Sequence, residues 1–410
     1  MFHCTTYASR IFFNKFIVAT LICLLVYHII YFIGWTSVYY YDYFTTPQLS
    51  GVHLQPDRNR WCVKENVIQP TLPIERHRIT LILHMSSDYL SEDIAEQFLN
   101  WSGPIALSIV LNDSTNAECA VRFIRSIIAR HDFGMLQVHF IYKKGSGQCD
   151  VNNIHRNDKL SCSNTAKTRS LIEIADYPMN MARNVARQFI ITDFILISDV
   201  DLLFSEGFER RMSQVARREL REDKKKVLVF RIFEICNQSS TPRTKSEMGQ
   251  LINNGNGDVF HAVSAYGHHD LDGRSDWFSS PENFTHTRVV PKQIRYSRYT
   301  WEPRFVGRSS VLFHDESFPY RIRANNVLGW ELCRADYEFS LVEDLFTFHR
   351  AKRVSDDDRQ KENNVIQLMN RLKYERALSG WYNRMDKEYP GTKRSCPAIL
   401  RRKLWYFTEE

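Results

Sequence analysis

Between Ile79 and Ser198 the sequence keeps returning to one unit: a short uncharged run rich in Ile, Val and Leu, then a stretch whose apolar residues recur at helical spacing. Ile79-Thr-Leu-Ile-Leu-His84 precedes a helical stretch from Ser91 to Leu99. Ile105–Leu111 precedes Asn116–Arg130, whose Ala120, Phe123, Ile124 and Ile127 fall on one face. Leu136–Tyr142 follows, and a helix over Pro178–Gln188 leads into Phe194-Ile-Leu-Ile-Ser198. Runs this short need partners, and strands alternating with helices find them in a parallel sheet. The expected fold is therefore α/β: a mainly parallel twisted sheet flanked by helices. With 43% hydrophobic residues the chain can fill such a core, and with 16 glycines and 13 prolines in 410 residues it is not fibrous. A net charge of +7, spread along the chain, suits an anionic ligand without requiring nucleic acid. No G-x-G-x-x-G or G-x-x-x-x-G-K-S/T loop occurs, which removes the common dinucleotide and P-loop readings.

A second feature divides the chain. Phe16–Trp35 is twenty residues without a charge, long enough as a helix to cross the hydrocarbon core of a bilayer. Arg10 and Lys15 precede it, and only Asp42 follows within Tyr39–Phe44, so the short N-terminus belongs in the cytosol and the body across the membrane. A cleaved signal peptide would need a shorter apolar run and a small-residue cleavage site. The expected organisation is a cytoplasmic tail (1–15), a transmembrane signal anchor (16–35), a stem (36–76), a catalytic domain (77–352) and a C-terminal helical extension packed on it (353–410). Seven cysteines lie beyond the anchor with no metal-type pair among them, which suits an oxidising lumen. Cys149 and Cys162 bracket a polar loop and are expected to bridge; an odd number leaves at least one thiol unpaired within the chain. Sequons at Asn100, Asn112, Asn237 and Asn283 agree with a secretory route. The dense charge of Arg210–Lys226 reads as a solvated helix face.

The chemistry begins where the apolar strand Phe194–Ser198 stops in Asp199-Val-Asp201. Ligands of open α/β sheets bind at such C-terminal strand edges. Alternate residues of an extended segment point the same way, so Asp199 and Asp201 can share a divalent cation. Taken alone, an Asp-x-Asp triplet is more often a solvated loop, but two carboxylates after a wholly apolar strand are costly unless compensated. In Tyr177-Pro-Met-Asn-Met-Ala-Arg183-Asn184 the proline opens a helix, and Arg183 and Asn184 lie in its first turns, where phosphate or uracil oxygens can be received. The plainer reading of Arg183 and Arg187 is ordinary surface pairing. Leu345-Phe-Thr-Phe348 is another apolar run, and His349 after it could complete the coordination of a cation held by the two carboxylates.

These pieces form an ordered series with Trp101-Ser-Gly-Pro-Ile105, Gly267-His268 before Trp277, Trp301-Glu302-Pro303, and Asp315-Glu-Ser-Phe318. In that order, from about Ile79 to His349, the chain resembles glycosyltransferase family 49, which includes the glucuronyl-transferring domain of LARGE-type enzymes. The resemblance implies a GT-A fold, a type II Golgi membrane topology and an inverting transfer from a UDP-sugar to a glycan or glycoprotein acceptor. Glucuronic acid is the favoured sugar, with xylose or N-acetylglucosamine behind it. It implies Mn²⁺ (or Mg²⁺) on Asp199, Asp201 and His349. It also implies a donor site including Arg183, Asn184, Asp199, His268 and Lys352, and Asp315 or Glu316 as the base. A catalytically inactive binding protein with the same fold is the alternative. One departure stands out: where the family has a glycine-rich run before an Asn, this chain has Tyr320-Arg-Ile-Arg-Ala-Asn325, whose arginines would crowd a sugar pocket or reshape it around an acidic acceptor.

Overall fold

Each of the short apolar runs between Ile79 and Ser198 becomes a strand of one sheet, ten-stranded among the described residues. The computed structural model describes residues 24–28, 58–112, 117–144, 149, 169–262, 268–291, 293–351, 356–393 and 395–397. The apolar run 16–35 lies outside these residues except for Leu24–His28, which are helical. No helix among the described residues is long and apolar enough to cross a membrane.

The strands are β1 (Trp61–Ile68), β2 (Ile79–Ser86), β3 (Ile105–Leu111), β4 (Leu136–Lys143), β5 (Phe194–Ile197), β6 (Leu202–Phe204), β7 (Lys226–Cys236), β8 (Gly257–Val259), β9 (Phe305–Arg308) and β10 (Glu338–Ala351). Their spatial order is β1-β4-β3-β2-β5-β9-β7-β10-β6, with β8 on β7. The expectation of a mainly parallel sheet is corrected. The block β4-β3-β2-β5 and the pair β7-β10 are parallel. The pairings of β1, β6, β8 and β9 are antiparallel. The sheet is mixed because β9 inserts between β5 and β7 and runs against both. Its four residues, one a glycine, carry too little apolar pattern to read as a strand from sequence.

The helices are α1 (Ile94–Asn100), α2 (Ala117–His131), α3 (Leu171–Ala175), α4 (Met179–Gln188), α5 (Phe208–Glu219), α6 (Lys245–Asn253), α7 (Arg274–Ser279), α8 (Asn326–Arg334) and α9 (Asp356–Glu388). Ile79, Leu81, Leu83, Leu107 and Phe140 of the sheet form one core with Phe98, Ile124, Phe208 and Met212 of the helices. A second core gathers Ile82, Ile195, Val227 and Leu341 with Val327 and Trp330 of α8 and Tyr374, Leu378, Trp381 and Met385 of α9. The charged C-terminal helix thus buries Ile366, Tyr374, Leu378, Trp381 and Met385, while Val365, Leu368, Met369 and Leu372 stay exposed.

Three other expectations are revised. β1 falls inside the segment expected to be a stem, yet it is an edge strand paired with β4, Cys62 lying opposite Tyr142. That register explains the disulfide. Chain leaving β4 at Lys143 returns to the edge strand by Cys149, which bonds Cys62 and not Cys162. Cys333 bonds Cys396, Cys119 is also disulfide-bonded, and Cys236 is a free, exposed thiol. The charged run after Phe208 is solvated on one side only. Arg211 is buried against Glu282, and Glu209 receives a two-pronged bond from Arg78.

Candidate active site

Helix α4 is buried on almost every side although five of its residues are polar: Asn180, Arg183, Asn184 and Arg187 are each at most 3% exposed, and Gln188 is half-buried. A helix can bury such groups only if each finds a partner. For Asn180, Asn184 and Arg187 the partners are mostly backbone atoms of residues 309–315. Arg187 donates to the carbonyls of Ser309, Val311 and Leu312, and its guanidinium stacks on Phe313. Asn184 accepts from the His314 amide and donates to the His314 carbonyl and to Glu316 Oε1. Asn180 donates to the Asp315 carbonyl. The surface-pair reading of Arg183 and Arg187 is therefore corrected. With both amide donors of Asn184 engaged, that side chain fastens loop to helix.

Arg183 points the other way, towards the strand edge. Its guanidinium donates to Asn325 Oδ1 at 2.6 Å and lies 3.6 Å from Asp199 Oδ1, while Arg304 closes on Asp199 Oδ2. Burial alone would raise the Asp199 carboxyl, but Arg304 and Arg183 outweigh it and hold it at about 2. Burial lowers Arg183 to about 10, still charged at neutral pH. Asp199 is thus a permanent anion between two guanidiniums.

Asp201, 47% exposed, faces His349: Oδ2 and Nε2 are 3.4 Å apart. The register accounts for this. His349 of β10 lies opposite Leu202 of β6, just past Asp201, and on its other side opposite Glu234 of β7. Glu234 Oε1 holds His349 Nδ1 at 2.9 Å. Burial would lower the imidazole, but Asp201 and Glu234 prevail and raise it to about 9. A carboxylate fixing Nδ1 while Nε2 faces a second carboxylate is the order found where a histidine binds a metal. Asp201 and His349 therefore fit a divalent cation, with Asp199 two residues away but turned to its arginines. Among the described residues no group of three or more His, Cys, Asp or Glu is already gathered as a metal cage.

The remaining candidates divide. His268 is half-buried, and burial together with Arg323, His261 and Arg298 pushes it down to about 4. Its carbonyl accepts from the Glu302 amide. Asp315 is buried, with one oxygen bonded to Ser317 and the other to Arg384 of α9. Glu316 is 3% exposed and held by Asn184. Lys352 lies outside the described residues. Arg304, Glu302, Glu234, His269 and Asn325 were not singled out for roles by sequence. Glu302 lies in the Trp301-Glu302-Pro303 motif and Arg304 beside it, a legible signal, whereas Glu234 depends on strand register, which is not.

The departing segment Tyr320–Asn325 keeps a glycine-like backbone without glycine: Arg321 and Arg323 have φ of 66° and 52°. Left-handed non-glycine residues cost about 1 kcal/mol or more each and persist where the surroundings over-determine them. The surroundings here do so: Asn370 donates to the Tyr320 carbonyl, Arg183 to that of Ala324, and Asn326 and Val327 to that of Arg323. Arg323→Gly should accordingly stay within about 0.5 kcal/mol of the parent, although the Arg323–Tyr299 contact at 5.5 Å is lost. Arg323→Val should cost more than about 1 kcal/mol. Urea unfolding separates the two; equal losses would mean that backbone conformation is not what the position resists.

A mixed α/β sheet that gathers two carboxylates, an imidazole and buried guanidiniums at its strand ends defines a ligand-binding enzyme of the open-sheet class. Residues 78–390 match the family model described as glycosyl-transferase for dystroglycan. The chain belongs to that family and is a glycosyltransferase. It is 24% identical over 343 residues to beta-1,4-glucuronyltransferase 1 of Danio rerio, covering 78% of this chain and 76% of that one. It is 25% identical over 287 residues to xylosyl- and glucuronyltransferase LARGE1 of Mus musculus, covering 66% of this chain but 31% of the relative, so it corresponds to about a third of that protein. Among solved structures, S. aureus TarS 1–349 in complex with UDP aligns with 76% of this chain and 72% of its own at 12% identity and a TM-score of 0.34, a likeness too slight to bear on the site.

Proposed function

We propose that the protein is a type II Golgi membrane glycosyltransferase of GT-A fold that moves a sugar, glucuronic acid in first place and xylose or N-acetylglucosamine behind it, from a UDP donor to a glycan acceptor with inversion. The observation that carries the reading is the Asp201–His349–Glu234 array at the strand ends, beside an Asp199 that two arginines keep ionised. Asp201 and His349, with Asp199, would hold Mn²⁺ or Mg²⁺. Such a cation, when bound, offsets charge on a diphosphate leaving group. Arg183 and Arg304 keep Asp199 charged and fixed, Glu234 keeps Nε2 of His349 aimed at Asp201, and Asn184 anchors the 314–316 loop. The names of the relatives support glucuronic acid and xylose as sugars, and the glucuronyltransferase match covers most of both chains. The uncharged run Phe16–Trp35 and the disulfides support a lumenal body.

The test is UDP release from a panel of UDP-sugars, with and without Mn²⁺, in the presence and absence of glycan acceptors. Metal-dependent release that requires an acceptor is expected. UDP binding without turnover on any acceptor would favour the inactive binding protein.

A pH dependence follows from His349. When no metal is bound its proton is stabilising: the contribution is whole below the ordinary 6.5 and fades as pH rises through about 9. A metal must displace that proton. Mn²⁺ affinity measured by calorimetry should therefore climb about tenfold per pH unit between the two values and level off above about 9. A flat profile over that range would remove His349 from the ligand set.

A further inference from the structure

Glu302 stands in the segment just before β9, two residues from Arg304, which reaches Asp199. The charges of both Arg304 and Asp199 act on its carboxyl. Its Oε2 accepts from Asn325 Nδ2 at 3.3 Å, and Asn325 Oδ1 in turn accepts from Arg183, the residue beside Asp199. On the far side, the Glu302 amide donates to the His268 carbonyl at 3.2 Å, and His269 Nε2 lies 4.0 Å from Oε2. Asn325 therefore orients one carboxylate oxygen, and the His268 carbonyl fixes the backbone that carries it. The other, Oε1, carries no hydrogen bond among the described residues, and the side chain is 19% exposed.

Among the described residues no other buried acid near this edge is so disposed. Asp315 is 1% exposed at the side chain with both oxygens engaged, Glu316 is held by Asn184, and Glu234 is bonded to His349. An acid that must take a proton from a bound molecule needs one oxygen oriented and the other accessible.

We infer that Glu302 is the general base that deprotonates the acceptor hydroxyl, an assignment that rests on the glycosyl-transfer reading above. In the step, Glu302 Oε1 takes the hydroxyl proton while the acceptor oxygen donates an electron pair to the anomeric carbon. The bond from that carbon to the β-phosphate oxygen breaks, and its electron pair leaves with UDP. Glu302 later returns the proton to water. Burial raises its carboxyl above the usual range despite Arg304 and the Asn325 bond, which makes it a stronger base than an exposed glutamate.

The experiment uses the purified protein, the UDP-sugar on which it is most active and that sugar's acceptor. Glu302→Gln keeps the shape and an oxygen for Asn325. It should lower kcat by about 10²- to 10⁴-fold and abolish the acidic limb of the kcat/KM profile, with UDP and Mn²⁺ affinities within twofold of the parent. In Glu302→Ala, azide, a nucleophile with no proton to lose, should restore donor cleavage and give a glycosyl azide. A Glu302→Gln enzyme within threefold of the parent overturns the assignment. So does a loss of UDP affinity in step with kcat, or an Ala variant that azide leaves silent, since each marks a structural role. If the parent itself turns over no UDP-sugar, the transfer reading fails first and the assignment falls with it.

Discussion

Asp201→Asn is expected to leave the protein folded and to lower metal-dependent UDP release on the order of 10³-fold, the scale of several kcal/mol of charge stabilisation. Asp201 is the cleanest probe of the strand-edge site because it is 47% exposed and, among the described residues, pairs with His349 across 3.4 Å. Its amide should leave the melting temperature within the small range of surface substitutions. The equivalent change at Asp199 would be ambiguous, for it would strand Arg183 and Arg304 without their shared anion. Glu234→Gln tests the same array from behind: with Nδ1 of His349 less firmly held, Mn²⁺ affinity should fall about 10- to 100-fold. Full activity of Asp201→Asn, or turnover by the parent in the presence of a chelator, would end the metal assignment.

The largest expected loss of stability lies away from that edge. Arg384 of α9 is 14% exposed and donates to Asp315 Oδ2 at 2.6 Å and to Glu331 Oε1 at 2.6 Å, two carboxylates that are themselves 1% and 8% exposed. Removing the guanidinium leaves two buried acids facing each other. Glu331 already has its carboxyl raised by burial, with Arg384 opposing that rise. Breaking a buried ionic cluster by deleting one partner costs about 3–5 kcal/mol. Arg384→Ala should therefore lower the melting temperature on the order of 10 °C. Arg384→Lys should recover part of this, since an ammonium supplies charge but not the fork that reaches both acids. A drop of only a degree or two in Arg384→Ala would show that the cluster is solvated in solution.

Much of this architecture could be read before any coordinates. The strands that became β2, β3, β4 and β5 and the helix α4 announce themselves because apolar periodicity is a local property. The strand-end placement of Asp199, Asp201 and His349 was also legible, because each follows an apolar run. What failed was everything that depends on pairing across distance. β6 has only three residues, and β9 carries a glycine and an arginine where β5 is wholly apolar, so the sheet's mixed direction stayed hidden. Cys149 was paired with a neighbour in sequence because the edge strand that brings Cys62 to it was read as stem. Arg183 and Arg187 looked like surface charges because nothing in the sequence reveals a loop whose carbonyls wait for them. Asp315 gave the acid of a motif, and the structure gave its occupant, Arg384, from a helix 69 residues away in the chain.

The family match stops at residue 390, but the covalent framework does not. Cys333, at the end of α8, is tied to Cys396, and the long helix carrying Arg384 lies inside that 63-residue loop. A truncation drawn at the end of the match would orphan a thiol and unclip the far end of the second core. Expression boundaries for this enzyme therefore belong beyond residue 396, and a shortened form that aggregates would say little about the catalytic edge.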